Sequence, residues 1–208
     1  MKPEIRAGST FPDYELPDHT DTRRKLSLLQ GDDPMILMLL RGYYCPKDRQ
    51  QLHQMVEFSK QCTVGYVRLV TITIDNLLQL NELRQGVGAE WTFLYDEERT
   101  IQRDLDIQEY TDPHHDPMIP HTFVLEPGLK IFKIYNGYWY WGRPSTAELH
   151  LDLRAVTEKI RPDWKIDTAE MREKWNAGEK QHFWPYGKSL REALVRMANA
   201  VDLYDKAA

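Results

Sequence analysis

Two apolar runs spaced one helix apart leave this chain few folds to choose from. "PMILMLLR" (34–41) is almost continuously apolar, and "YVRLVTITID" (66–75) is rich in β-branched residues. Runs of this kind suit strands buried on both faces of a sheet. Between them, "CPKDRQQLHQMVEFSKQC" carries Leu52, Met55, Val56 and Ser59 at the i, i+3, i+4, i+7 spacing of a helix's inner stripe. Pro46 suits the first turn of that helix, where its missing N–H costs nothing. Strand, helix and strand in this order predict a right-handed βαβ unit with parallel strands.

The following segments extend the pattern. "NLLQLNELRQGVG" predicts a polar helix, "WTFLYD" (91–96) a short strand and "EERTIQRDLDI" another helix. "PHTFVLEPGLKIFKIYNGYWYWGRP" reads as two strands joined by Glu126-Pro127-Gly128, turn chemistry that predicts an antiparallel hairpin. Ser145 with Glu148 forms a capping box for the helix "STAELHLDLRAVTEKI". The order predicts an α/β fold of layers, βαβ plus ββα around a central mixed sheet. From Arg161 onward Trp, Pro and charge are mixed, and "SLREALVRMANAVDLYDKAA" predicts an amphipathic helix. The expected organisation is a domain over 1–160 and a helical C-terminal extension over 161–208. That extension is expected to pack on the core or on a partner subunit, because so short a segment cannot bury a core of its own.

Charge and composition narrow the function. The net charge is −5 and no Lys/Arg-rich block is present, so no nucleic-acid partner is expected. No stretch reaches the roughly 20 apolar residues of a membrane span, and the N-terminus has no signal-type apolar segment. A cytoplasmic protein without a membrane partner is expected. Two cysteines are too few for a disulfide-stapled scaffold, and no zinc-type pair is present. Their number favours a reducing compartment.

Cys45, in "LLRGYYCPKDRQQL" (39–52), falls between the first predicted strand and the helix after it. Open α/β sheets bind ligands at the carboxyl ends of their strands. The N–H groups and partial positive charge of a helix N-terminus favour a thiolate there. Arg41 can add a full charge, so Cys45 is expected to have a depressed pKa and to act as a nucleophile. The alternative is a small buried residue capping the sheet. Ile119-Pro120, just before a hairpin strand, is a second signal, since a cis bond at a strand's first residue would be a deliberate feature.

Taken together, the cysteine-proline at a helix start and the Ile-Pro before a ββα unit resemble the thioredoxin fold. "GSTFPDYELPDHT" resembles the N-terminal hairpin of peroxiredoxins. "LLRGYYCPKDRQQL" resembles the Arg-Gly-x-Trp-Cys-Pro-x-Cys-Arg-x-x-Leu stretch of peroxiredoxin-like proteins of the alkyl hydroperoxide reductase/thiol-specific antioxidant family. The likeness covers about residues 8 to 160. It implies that Cys45 is the peroxidatic nucleophile, oxidised by a hydroperoxide to a sulfenic acid. It also implies that Arg41 stabilises the charge and that Pro120 forms the opposite wall, as the fold's cis-proline does. Gly42, Tyr43, Tyr44 and Pro46 are expected to line the site. No cofactor or metal is implied.

The chain departs from the family pattern. Where typical peroxiredoxins carry Pro-x-x-x-Thr/Ser-x-x-Cys, this sequence has Met38 and Gly42, so the peroxide-orienting hydroxyl is missing. The arginine expected before "MIPHT" is replaced by Pro120, and Arg143 in "WGRP" is the candidate to supply its charge. Asp48 stands where Cys-x-x-Cys oxidoreductases have their second thiol. It reads either as an acid in the solvated first turn or as an acceptor for the thiol's proton. Cys62 lies seventeen residues from Cys45, roughly 25 Å along one helix, too far for a disulfide. A one-cysteine mechanism with an external thiol or thioredoxin-type reductant follows. Thiol-disulfide exchange at Cys45 and a non-catalytic binding or assembly role are the alternatives.

Two further clusters remain. "YTDPHHDPMIPH" gathers His114, His115, Asp116 and His121, read as a polar loop beside the site rather than a metal centre, with His121 placed to tune Cys45. "YNGYWYWGRP" places aromatics on both faces of one predicted strand; an uncovered face there suits a homodimer interface or a substrate wall, and core packing with coverage by "HFWPYG" is the alternative.

Overall fold

Both apolar runs are central strands of one sheet in the computed structural model, which describes residues 1–138 and 140–194. They form β3 (Met35–Leu39) and β4 (Arg68–Thr73), paired in parallel with Met35 opposite Arg68 and Leu39 opposite Ile72. All five residues of β3 are buried, because the strand is covered on both faces. β5 (Thr92–Tyr95) extends the sheet in parallel beyond β4. On the other side β6 (His121–Glu126) runs antiparallel to β3, and β7 (Lys130–Asn136) runs antiparallel to β6. The strand order is β5-β4-β3-β6-β7, the mixed sheet expected from the sequence. The turn at Glu126-Pro127-Gly128 closes the hairpin, with Gly128 at φ +76°.

Helix α2 (Pro46–Val64) crosses from β3 to β4. Its buried stripe is Asp48, Gln51, Leu52, Met55, Phe58, Ser59 and Cys62. The expected stripe is rotated slightly: Val56 is only half-buried, and the side chains facing the sheet include Asp48 and Gln51. Gln51 donates to Thr122 Oγ1 at 3.2 Å, so α2 lies on the sheet face that carries Thr122. Helix α3 (Leu77–Val87) opens on an Asn76–Gln79 capping box and ends at Gly88, left-handed at φ +75°. Helix α4 (Thr100–Asp104) is a short turn whose first N–H groups are taken by Asp96.

The opposite sheet face is covered by the N-terminal segment. Phe11 is fully buried between Phe123 and Tyr14, at centroid distances of 4.8 and 5.9 Å. Around it pack Leu37, Leu39, Val70, Ile72, Leu94 and Leu125. The segment pairs with β7 through Gly8 and Ser9 and with the turn before it through Phe11 N–H to Leu129 O, then forms the hairpin of β1 (Glu15–Pro17) and β2 (Arg23–Lys25). It reaches β5 through His19 N–H to Phe93 O, and α1 (Leu26–Gln30) follows. Both sheet edges are thereby partly paired, which limits edge-to-edge association.

By its packing the chain divides into Met1–Asp152 and Leu153–Ala208, with α5 spanning Thr146–Ile160. Ser145 caps α5 with Glu148, as the spacing predicts. At the first unit's end, Asp152 accepts from Lys133 Nζ at 3.0 Å and from the Tyr135 hydroxyl at 2.6 Å. In the second unit, α6 (Ala169–Asn176) is capped by Thr168, and Trp175 packs edge-to-face on Phe183. The amphipathic helix expected over 189–208 begins with a Ser189–Glu192 cap, and most of it lies outside the described residues. "YNGYWYWGRP" is not one strand: β7 stops at Asn136, and a tight turn spans Tyr140–Gly142. Gly142 explains the break, since a Cβ there would lie 1.9 Å from Asn136 O. Trp139 lies outside the described residues.

Phe11 closes the core from the N-terminal side, so Phe11→Ala is expected to cost about 3–5 kcal/mol of unfolding free energy. Denaturant titration measures it. A loss under about 1 kcal/mol would show that the core does not depend on this segment.

Candidate active site

The sheet's polarity gathers the site at one end. β3 and β4 are parallel, so their carboxyl ends, leading to Arg41 and Asp75, lie side by side. β6 is antiparallel, so its first residues arrive at the same end, and β7 leaves from there toward Arg143. Asn136, His121, Leu39, Ile72 and Leu94 form one row across this end of the sheet. The N-terminus of α2 is set above it by the turn Gly42–Cys45, closed by Cys45 N–H donating to Gly42 O at 3.0 Å.

Cys45 is the N-cap of α2, with Pro46 in the first helical turn. Its exposure is 1%. Burial raises its pKa and the nearby Asp48 adds to the rise, while the Asp48 and Lys47 N–H groups and Arg143 pull it down. The net shift is upward, opposite to the depressed thiol expected from position alone. Desolvation outweighs the helix N-terminus here.

Asp48 is fully buried, not solvated as one reading of its first-turn position had it. Its Oδ2 accepts the N–H of Arg41 at 2.7 Å and of Gly42 at 3.3 Å, and its Oδ1 pairs with Arg143. Burial pushes its pKa up, opposed by Arg143 and these donated bonds. Arg143 has every edge engaged: Nε donates to Gln51 Oε1 at 3.1 Å and Nη1 to Gly137 O at 3.1 Å, with Nη2 on Asp48. The charge that the sequence left unplaced is therefore held on Asp48, which lies one helical turn from Cys45.

Arg41 points elsewhere. Its Nε lies 2.8 Å from Glu109 Oε2, and Nη2 donates to Glu109 Oε1 at 3.1 Å and Asp112 Oδ2 at 3.3 Å. Two carboxylates thus share its charge. Tyr44 is half-buried, its hydroxyl donating to Asp112 at 3.1 Å and its ring stacked on His115 at 3.6 Å. Burial alone would raise Asp112. Bonds from His115, the His114 and His115 N–H groups and Tyr44 hold its carboxyl down at about 2. Among the described residues no three His, Cys, Asp or Glu side chains are placed to hold one metal ion.

The remaining expected residues divide. Gly42, at φ +119°, is buried in the turn. Tyr43 leans outward, its hydroxyl donating to Glu82 at 2.6 Å and its ring under Arg49. Pro120 is buried, and its carbonyl accepts Gly137 N–H at 2.8 Å. Among the described residues only Trp184-Pro185 is cis, so Ile119-Pro120 is trans and the cis expectation is not met. Pro120 thus meets the site through Gly137 and Arg143. His121 is buried with Nδ1–H donating to Ile119 O at 2.8 Å and its ring on Phe123. That is the sheet face away from α2, so His121 does not contact the cysteine turn. Burial lowers its pKa.

Sequence reasoning missed Asp75 and Gln51. Asp75 is a lone carboxylate at the end of the second apolar run, a visible signal at a strand's carboxyl end. Gln51 carried none, because a glutamine on a helix says nothing of its partner.

Comparison with known proteins agrees with this architecture. The model of the AhpC/TSA family matches residues 7–134. A Mycobacterium tuberculosis protein curated under a peroxiredoxin name is 22% identical over 64% of this chain and 86% of its own length. Among solved structures, the peroxidoxin BcpB of Mycobacterium tuberculosis superposes with a TM-score of 0.63 at 22% identity, covering 76% of this chain and 99% of its own. A yeast mitochondrial 1-Cys peroxiredoxin gives 0.62 at 15% identity, covering 74% and 78%. The fold is thioredoxin-like, and with more than half of its length matched by the family model the chain belongs to the AhpC/TSA family.

Proposed function

We propose that the protein reduces hydroperoxides through Cys45 alone, with an external thiol as reductant. Family membership makes it a thiol-dependent peroxide-reducing oxidoreductase. The observation that carries the assignment to Cys45 is its seat at the N-terminus of α2, one turn from Asp48 and the Arg143 that Asp48 holds. The Cys45 thiolate attacks one peroxide oxygen, forming the S–O bond of a sulfenic acid as the O–O bond breaks. The electron pair leaves with the other oxygen, which takes a proton and departs as water or alcohol. Arg143 and the N–H groups of Lys47 and Asp48 favour the thiolate and stabilise developing negative charge.

Reduction of the sulfenic acid needs a second thiol. Cys62 is buried near the far end of α2, and burial holds its pKa up at about 12. It is therefore a packing residue and not a partner. An outside thiol displaces water from the sulfenic acid to give a mixed disulfide, and a further thiol releases Cys45. Asp48, buried in an ion pair where a dithiol would place its second sulfur, disfavours the thiol-disulfide oxidoreductase reading. Two free cysteines fit a reducing, cytoplasmic setting. Trp141 and Tyr110, 100% and 90% exposed, support a homodimer that covers them. No described helix is long and apolar enough to cross a membrane.

The test is sulfenic acid formation with hydrogen peroxide, trapped by dimedone and read by intact mass. Wild type and Cys62→Ser are expected to label, and Cys45→Ser is not. Labelling of Cys45→Ser, or wild-type labelling no faster than a free thiol at the same pH, would sink the assignment.

Because the Cys45 pKa is raised and the thiolate is the nucleophile, the oxidation rate is expected to keep climbing as pH rises past neutrality. A plateau already reached below pH 7 would contradict this, as ~pH 7 lies well under an ordinary thiol's pKa.

Arg143→Gln leaves Asp48 buried without its cation and is expected to cost about 3–5 kcal/mol of stability. It is also expected to slow sulfenylation by about 10²-fold. The double variant Asp48→Asn/Arg143→Gln removes the orphaned charge and regains stability but not rate. Recovery of both by the double variant would reduce Arg143 to a structural partner of Asp48.

A further inference from the structure

Three consecutive backbone N–H groups lie between β3 and the cysteine turn, and two buried carboxylates take all of them. Arg41 and Gly42 donate to Asp48. Tyr43 donates to Asp75, at 3.0 Å to Oδ1 and 2.8 Å to Oδ2. Asp48 arrives from α2 and Asp75 from the end of β4, so the turn is gripped from two sides. Asp75 is itself fixed: its exposure is 6%, and its N–H donates to Thr73 Oγ1 at 3.3 Å.

Position 42 gives this grip a second meaning. A Cβ built on Gly42 would lie 2.7 Å from Asp75 Oδ1 and 3.3 Å from Ile74 Cγ1. The backbone there, at φ +119°, is one that L residues rarely adopt. The space that a side chain at 42 would enter already holds the Asp75 carboxylate. Position 42 is also where the family's hydroxyl-bearing residue is absent from this sequence. Gly42 and Asp75 are complementary, one residue giving up the volume that the other fills.

We propose that Asp75 is a positioning residue for peroxide reduction, its carboxylate filling the space left by Gly42 and holding, through Tyr43 N–H, the turn that presents Cys45. This rests on the reading of Cys45 as the peroxidatic residue. Without Asp75 the part-buried Tyr43 amide loses its acceptor and the turn must rotate to find another. The sulfur then shifts against the donors that stabilise the breaking O–O bond. Attack on a peroxide demands both an in-line approach and those donors, so a small displacement costs heavily. Alkylation of the same thiolate by iodoacetamide uses no aligned donor and is far less sensitive.

The experiment compares wild type, Asp75→Ala and Asp75→Asn in the full chain. It measures the hydrogen peroxide sulfenylation rate, the iodoacetamide rate at the same pH and the melting temperature. Asp75→Ala is expected to lose about 30-fold or more in sulfenylation while alkylation stays within about 3-fold. Asp75→Asn keeps the shape and one acceptor oxygen and is expected to restore most of the lost rate. If Asp75→Ala does not fold, Asp75→Glu takes its place, expected to lose rate because its longer carboxyl cannot sit against Gly42. Gly42→Ala is expected to cost less in the Asp75→Ala background (the Asp75→Ser background if that variant does not fold) than in wild type, because the contest for one space is gone and only the backbone strain at φ +119° remains. Unchanged sulfenylation in Asp75→Ala, equal loss in both reactions, or additive costs in the cycle would overturn the inference. If wild type itself forms no sulfenic acid, the peroxidase reading has failed first and the inference goes with it.

Discussion

One buried carboxylate holds the site together. Asp48 lies on the first turn of α2 with no exposure, and its two oxygens bind the loop behind the cysteine and the arginine in front of it. A buried charge is tolerated only when it is fully paired, and Asp48 is paired by two backbone N–H groups and one guanidinium. Through Arg143 the network reaches Gln51, Thr122 and Gly137, and so ties α2 to β6 and to the segment after β7. The position of Cys45 is the consequence of that pairing.

The same network sets the electrostatics. A cysteine at a helix N-terminus beside arginines suggests a strongly stabilised thiolate. Here burial and the Asp48 charge act the other way, and Arg41 is committed to Glu109 and Asp112. Arg41 and Arg143 both interact with the sulfur, and carboxylates share the charge of each. The site therefore holds a buried thiol among donors already oriented, an arrangement that favours negative charge developing beside the sulfur over a free thiolate.

The strands, the crossover helix and the hairpin turn were legible because each rests on a local signal: the all-apolar β3, Pro46 at a helix start, Pro127-Gly128 at a turn. The aromatic stretch after Asn136 was misread because strand propensity in "YWYW" says nothing of the close approach of Gly142 to Asn136. The solvated reading of Asp48 fails for a related reason. An acid in a helix's first turn is usually solvated, and only the opposing arginine, 95 residues away, makes its burial tolerable.

The sequence by itself determined the topology, the seat of Cys45 and the lack of a nearby second thiol, since periodicity, proline placement and helix rise are properties of contiguous residues. The tertiary structure alone decided which carboxylates share the arginines near the cysteine, that Asp75 stands in the space beside Gly42, and that the thiol is raised rather than depressed. Each of these depends on residues brought together at one end of a mixed sheet from distant parts of the chain. Their charges interact only where burial has removed the water that would screen them.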